Sequence, residues 1–325
     1  MKIFAPNATK AFAQRVASHL GTPLGVLEER DFEDGEHKTR AAESVRGQDV
    51  FVMQSLFDEP GQSVNDKLVR LLFLIGSLKD SGAQRVTAMI PYLAYARQDR
   101  QTNPRDPITT RYLAQMLEAA GADAVLTLDV HNLAAYQNAF RCPAWHLDTR
   151  RLFVDHLCQT LGTGALVVAS PDVGGVKRAQ LFRETLISST SRTVGFAFME
   201  KRRTGGILSG SMVVGDAGDA TVLIVDDMIA SGGTMARAAD AFLAQGARRV
   251  LCVATHGLFV GEAARVVEQC KVDRWIVTNT IPPFRLPTDL VAARLEIISV
   301  APLFGDAIRC LHEAGSLEDL LEAPT

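Results

Sequence analysis

The chain has 325 residues, enough for two domains with separate cores, and its 47% hydrophobic and 22% charged residues are the balance of a globular protein. No apolar run approaches the length of a membrane span, so a helical membrane protein is not expected. A net charge of −3 gives no electrostatic reason to expect a nucleic-acid partner. The five cysteines, Cys142, Cys158, Cys252, Cys270 and Cys310, lack CxxC or metal spacing, and the opening MKIFAPNATK lacks the apolar stretch of a signal peptide. Reduced cysteines in a cytoplasmic protein are the expectation.

In chain order, residues 3–5 read as a strand and 8–20 as a helix with apolar residues at helical spacing. A β segment is expected over 27–36, ending in FEDGE (32–36). Residues 50–54 give a strand, and 64–77 a strongly apolar helix with Asn65 and Asp66 near its start and Gly82 beyond its end. A strand over 86–91 leads to the charged turn YARQDR (95–100), then to a helix over 108–120 stopped by Gly121. The next strand, 124–128, ends in Asp129-Val130-His131.

The pattern then starts again. A helix over 150–161 precedes a strand over 165–169, the turn SPDVGG (170–175) and a helix through 186. A strand over 193–199 runs into EKRR (200–203) and a glycine-rich stretch to Gly218. Strands at 222–225, 250–255 and 275–280, with helices between them, complete the second half. Alternation of strands and helices predicts parallel sheets, and the repetition predicts a duplicated α/β domain. The expected division is an N-terminal domain over 1–146, a C-terminal domain over 147–310 and a helical tail over 311–325.

Most of the chemistry is concentrated in TVLIVDDMIASGGT (221–234). Its uninterrupted apolar run predicts a strand covered on both faces. Asp226 and Asp227 follow, and Ala230-Ser231-Gly232-Gly233-Thr234 then leads into a helical pattern. Strand, loop and helix in that order gather backbone N–H groups and a helix N-terminus where they can hold a phosphate. Glycines let the backbone come close to the anion, and Ser231 and Thr234 add hydroxyl donors. The carboxylate pair is wrong for that phosphate but suits vicinal sugar hydroxyls or a hydrated metal. One end for phosphate and one for a diol describe a ribose 5-phosphate cradle. The string resembles the phosphoribosyl-pyrophosphate-binding loop of phosphoribosyltransferase-type folds.

A wider set of motifs carries a more specific resemblance. FEDGE (32–36), SVRGQDVFVMQS (44–55), PYLAYARQDR (91–100), DVH (129–131), SPDVGG (170–175), EKRR (200–203), VDDMIASGGT (225–234), VTNTIP (277–282) and SVAPL (299–303) are similar to the ribose-phosphate pyrophosphokinase family, also called phosphoribosyl-pyrophosphate synthetase. They occur in order between about residues 1 and 309. The resemblance implies an α/β protein of two tandem phosphoribosyltransferase-type domains, each a mostly parallel sheet flanked by helices. It implies transfer of pyrophosphate from ATP to ribose 5-phosphate, with Mg2+ as cofactor, in a homo-oligomer whose subunits share active sites. Neither nucleic acid nor membrane is an implied partner.

Residue by residue, the resemblance implies that Asp226 and Asp227 hold the ribose hydroxyls, and that Ala230, Ser231, Gly232, Gly233 and Thr234 hold the 5-phosphate. Lys201 and Arg203 are the catalytic candidates, on a lid whose glycines allow it to move over the site. Arg97 and Gln98 are expected on ATP, with Phe32 stacked on the base and Asp34 and Glu36 accepting from the nucleoside, in a neighbouring subunit's site. His131 and Asp172 are the metal candidates. By residue type alone His131 reads as a hydrogen-bonding histidine, because Mg2+ prefers oxygen, whereas Asp172 is an ordinary ligand. Ala230 stands where the family string carries aspartate, and the stretches 101–107, 129–140 and 205–216 also diverge. These departures keep a second reading open, a catalytically weak regulatory paralogue of a synthetase.

Overall fold

A computed structural model describes residues 1–204 and 207–322, with the side chains of 201–211 and 322 outside the described set. The described residues divide into two compact units, one of residues 1–148 with 299–322, the other of 149–298.

In the first unit, β1 (Lys2–Phe4), α1 (Asn7–Leu20), β2 (Leu27–Asp31), β3 (His37–Ala41), β4 (Asp49–Met53), α2 (Val64–Asp80), β5 (Arg85–Ile90), α3 (Thr109–Ala119), β6 (Ala124–Leu128), α4 (Leu133–Ala139) and β7 (Ala144–Leu147) follow one another. Five of the strands form a parallel sheet in the order β1-β4-β5-β6-β7. Helices on the connections cover the sheet, so β5 and β6 are apolar along almost their whole length and buried. The apolar helix α2 opens with a capping box in which the Ser63 hydroxyl accepts from the Asp66 N–H at 3.2 Å and the Asp66 carboxylate from the Ser63 N–H at 2.7 Å.

The β segment expected over 27–36 is instead the first arm of an antiparallel hairpin, β2–β3, outside the main sheet. FEDGE is its turn. Gly35 takes φ +90°, and the Glu36 N–H donates to the Asp34 side chain at 3.1 Å, which are the usual means of closing a turn at an Asp-Gly pair.

The second unit contains α5 (Arg150–Thr160), β8 (Leu166–Ser170), α6 (Val176–Thr190), β9 (Val194–Thr204), β10 (Ile207–Val214), β11 (Thr221–Ile229), α7 (Gly233–Ala244), β12 (Arg249–Gly257), α8 (Ala263–Gln269), β13 (Arg274–Thr278), α9 (Thr288–Arg294) and β14 (Leu295–Ile298). The sheet order is β10-β9-β8-β11-β12-β13-β14, parallel except for the β9–β10 pair. From β8 the chain winds outward to β9 and β10, then returns to the other side of β8 with β11. That reversal puts a switch point at the carboxyl ends of β8 and β11, where open α/β sheets bind ligands. Val222, Leu223 and Ile224 are fully buried, and Trp275 closes the core beneath α7.

The last stretch of the chain returns to the first unit. α10 (Ala301–His312) lies against α1, with the Phe12 and Phe304 rings 5.6 Å apart and edge-on, and α11 (Leu317–Glu322) follows. Arg85 clamps Asp49 with two hydrogen bonds of 2.7 and 2.6 Å and donates to the Leu311 carbonyl at 2.9 Å, and His312 meets Asp49 at 2.8 Å. Residues 299–310, which sequence patterning places with the second half, thus pack on the first.

Candidate active site

The acidic pair lies within β11, which pairs with β12 beyond the apolar run through Asp226↔Ala254 and Met228↔His256. The strand was expected to end at 225. It continues because a parallel neighbour is available to satisfy its backbone. Alternation along the strand sends the two carboxylates to different surroundings, with the Asp227 side chain 2% exposed and that of Asp226 25% exposed.

One guanidinium serves both. Arg178 Nη1 lies 3.1 Å from Asp226 Oδ1 and 3.2 Å from Asp227 Oδ1, and the Asp227 N–H donates to Asp226 Oδ1 at 2.9 Å. Burial first, and the Asp227 carboxylate second, raise the pKa of Asp226 far above the usual carboxylate range, with Arg178 opposing them. Sequence reasoning missed Arg178. The signal available was its place one helical turn after the SPDVGG turn, on the face of α6 that looks back along the helix toward its N-terminus.

The SPDVGG turn lies beside the pair. Ser170 Oγ donates to the Asp172 carbonyl at 2.6 Å, and the Gly175 N–H to Asp172 Oδ1 at 3.2 Å. A Cβ on Gly175 would stand 2.6 Å from Ser170 Oγ and 3.9 Å from Asp226 Oδ1, so only glycine lets this turn close against the carboxylate. Asp172 is half-buried, and its Oδ2 has no partner among the described residues.

Past the pair, Gly232 takes φ +78° and opens α7, and a Cβ there would meet Trp275 and Val266 at 3.3 Å. The first intrahelical bond is from the Ala236 N–H to the Gly232 carbonyl at 2.9 Å. Among the described residues no side chain caps the N-terminus, and no acidic residue occupies its first turn. The N–H groups of the opening turn are left for an anion. Ala230, Ser231, Gly233 and Thr234 complete this loop, with Ser231 exposed and Gly233 and Thr234 half-buried.

Lys201 and Arg203 are carried by β9, in register with Ser211 and Leu208 of β10, so the expected lid has the backbone of a two-stranded arm at the sheet edge. The side chains of both lie outside the described residues.

The remaining candidates belong to the first unit. Arg97 and Gln98 lie in the turn after β5, and His131 in the loop after β6, at the carboxyl ends of neighbouring strands. Asn132 joins the two segments, donating to Asp99 Oδ2 at 2.7 Å while its own oxygen caps α4. Neither Asp99 nor Asn132 was singled out from the sequence. The Gln98 side chain accepts from Thr109, and Tyr95 takes φ +63°, so the turn is held tightly. Arg97 is exposed, as is His131. Phe32, Asp34 and Glu36 occupy the exposed hairpin turn, with the Arg30 guanidinium 4.8 Å from the Phe32 ring centroid. Among the described contacts none joins that turn to Arg97 or Gln98.

Among the described residues no three His, Cys, Asp or Glu side chains form a metal cage. A hard divalent cation held by one or two carboxylates, water and substrate phosphates fits this donor set, whereas an all-protein site does not.

Two mostly parallel sheets flanked by helices, with a carboxylate pair and a glycine loop opening a helix at the switch point of the second, define a chain of phosphoribosyltransferase-type fold. Residues 1–121 match the family described as the N-terminal domain of ribose phosphate pyrophosphokinase, and residues 200–322 the phosphoribosyl synthetase-associated domain. A ribose-phosphate pyrophosphokinase of Wolinella succinogenes is 37% identical over 98% of both chains. Ribose-phosphate pyrophosphokinase 1 of Streptococcus pneumoniae is 37% identical over 99% of this chain and 97% of that one. The crystal structure of phosphoribosylpyrophosphate synthetase from Mycobacterium smegmatis superposes with a TM-score of 0.88 at 35% identity, covering 97% of this chain and 99% of that one. The chain belongs to the ribose-phosphate pyrophosphokinase family.

Proposed function

We propose that this chain transfers the pyrophosphoryl group of ATP to the anomeric hydroxyl of ribose 5-phosphate, giving 5-phosphoribosyl 1-pyrophosphate and AMP. The observation that carries the reading is the cradle at the carboxyl ends of β8 and β11, where a carboxylate pair and an uncapped helix N-terminus flank one short loop. Asp226 and Asp227 accept from the 2- and 3-hydroxyls and so aim the anomeric oxygen, while residues 230–234 hold the 5-phosphate. The anomeric oxygen attacks the β-phosphorus, the bond from that phosphorus to the α-phosphate oxygen breaks, and the hydroxyl proton passes to solvent as AMP leaves. Lys201 and Arg203 supply positive charge to the transferring group. Arg97 contacts the ATP phosphates and Gln98 the base region.

Asp172 and His131, directly or through water, would hold Mg2+ together with the ATP phosphates, and the ion would supply neutralisation of polyphosphate charge. Phe32, Asp34 and Glu36 serve a nucleotide in a neighbouring subunit, which makes the working form a homo-oligomer. Their exposure on the hairpin turn, apart from Arg97 and Gln98 in the described contacts, supports that assignment. The protein works in the cytoplasm, and each half of the chain is a phosphoribosyltransferase-like domain.

Ala230 favours a second reading, a catalytically weak regulatory paralogue, because an acidic side chain of the family string is absent beside the sugar. AMP release from ATP, Mg2+ and ribose 5-phosphate separates the two. Stoichiometric AMP and phosphoribosyl pyrophosphate are expected. Binding of ribose 5-phosphate without AMP release would establish the paralogue.

A further inference from the structure

Arg237 is a charged group that the reading above leaves unused. It lies in the second turn of α7, where a long side chain folds back toward the helix N-terminus. Its Nη2 donates to Thr234 Oγ1 at 3.3 Å, and its Nη1 stands 3.3 Å from where a Cβ on Gly233 would be. The guanidinium therefore lies over the turn that carries Ser231, Gly233 and Thr234.

Its position is unfavourable for the isolated fold. A cation beside the positive end of a helix dipole is repelled by it, and no acidic residue in the first turn of α7 offsets the charge. Among the described residues Arg237 forms no ion pair, although Asp240 follows one turn later. Ala230 also removes the one loop position where the family string places a carboxylate. The loop consequently gathers bare N–H groups, two hydroxyls and an uncompensated guanidinium, a set complete only with an anion present.

The two arginines of the site divide its chemistry. Arg178 is consumed by Asp226 and Asp227 at the diol end, whereas Arg237 faces the phosphate end with its fork open to solvent. We propose that Arg237 binds the outer oxygens of the substrate's 5-phosphate and makes this site selective for sugars bearing a terminal phosphate dianion. This rests on the assignment of ribose 5-phosphate as substrate. A planar fork suits two phosphate oxygens at once, so lysine should replace it only in part.

The test is calorimetric binding of ribose 5-phosphate and of unphosphorylated ribose to the full chain, beside steady-state kinetics, for the wild type, Arg237→Ala, Arg237→Lys and Arg237→Glu. Arg237→Ala is expected to weaken ribose 5-phosphate binding about tenfold and raise its KM similarly, with KM for ATP and the weak binding of ribose unchanged. Arg237→Glu should weaken it further, and Arg237→Lys should recover part of the loss. Equal ribose 5-phosphate affinity in the wild type, Arg237→Ala and Arg237→Glu would overturn the proposal. Binding of ribose 5-phosphate without AMP release would overturn the catalytic reading alone, since the Arg237 comparison still reads out by calorimetry. Failure of the wild type to bind ribose 5-phosphate would overturn both.

Discussion

At the scale of single residues, the site stores electrostatic stress in Asp226. Two carboxylates share one guanidinium, and burial holds the Asp226 pKa above its unfolded value near 4. Because the folded pKa is raised, stability is fully present below the unfolded pKa and is lost as pH rises through the folded one. Asp226→Asn removes that loss while Asp227 keeps its contact with Arg178. The variant is expected to be more stable than the wild type at pH 8, by about 1 kcal/mol or more, since a tenfold difference in proton affinity between the folded and unfolded chain corresponds to about 1.4 kcal/mol. The gain should shrink toward zero near pH 4. Urea unfolding at a series of pH values measures this, and a gain independent of pH would refute the assignment. The same variant should bind ribose 5-phosphate more weakly while ATP affinity is kept. The two aspartates were legible in the sequence as adjacent acids at a strand end. Their unequal burial and their shared arginine were not, because Arg178 is distant in sequence and arrives through the pairing of β8 with β11.

At the scale of elements, the reading of β11, loop and α7 as strand, small-residue loop and helix agrees with the structure because each local preference points the same way: β-branched run, small residues, then helix formers. The hairpin β2–β3 was read as one segment because the pairing of its strands is decided at the FEDGE turn, and the edge strand β14 and the short helix α4 were missed because their apolar pattern is brief. Gly232 is where the loop between β11 and α7 is most constrained. An L side chain at φ +78° costs about 1–2 kcal/mol, and its Cβ would also press on Trp275 and Val266 at 3.3 Å. Gly232→Ala is therefore expected to destabilise the second unit by about 2 kcal/mol and to raise the KM for ribose 5-phosphate, because the N–H groups that follow are displaced. Denaturant titration and steady-state kinetics measure the two effects. A stable variant with an unchanged KM would show that the loop does not depend on this conformation.

At the scale of the whole molecule, alternation of strand and helix made two parallel sheets legible, but contiguity in sequence misled about where residues 299–310 belong. The face of α10 carrying Phe304, Ala307, Ile308 and Leu311 is apolar with helical period, so the sequence shows that this helix is buried without showing against what. The partner is α1, where Phe12 meets Phe304 and His19 meets Asp306 at 2.8 Å. The Arg85–Asp49 clamp then fixes the end of α10 to the edge of β4 and β5. Burial raises the pKa of Asp49, but hydrogen bonds from Arg85 and His312 outweigh it and leave a net lowering, so this clamp holds at neutral pH. If α10 stabilises the first unit, Phe304→Ala should cost about 3–5 kcal/mol, and the loss should be local. Amide exchange in the intact chain is expected to speed up in α1, β1 and β4 and to remain at wild-type rates in β11 and β12. Faster exchange in β11 and β12 with α1 unchanged would instead assign the helix to the second unit, as the order of the sequence suggests.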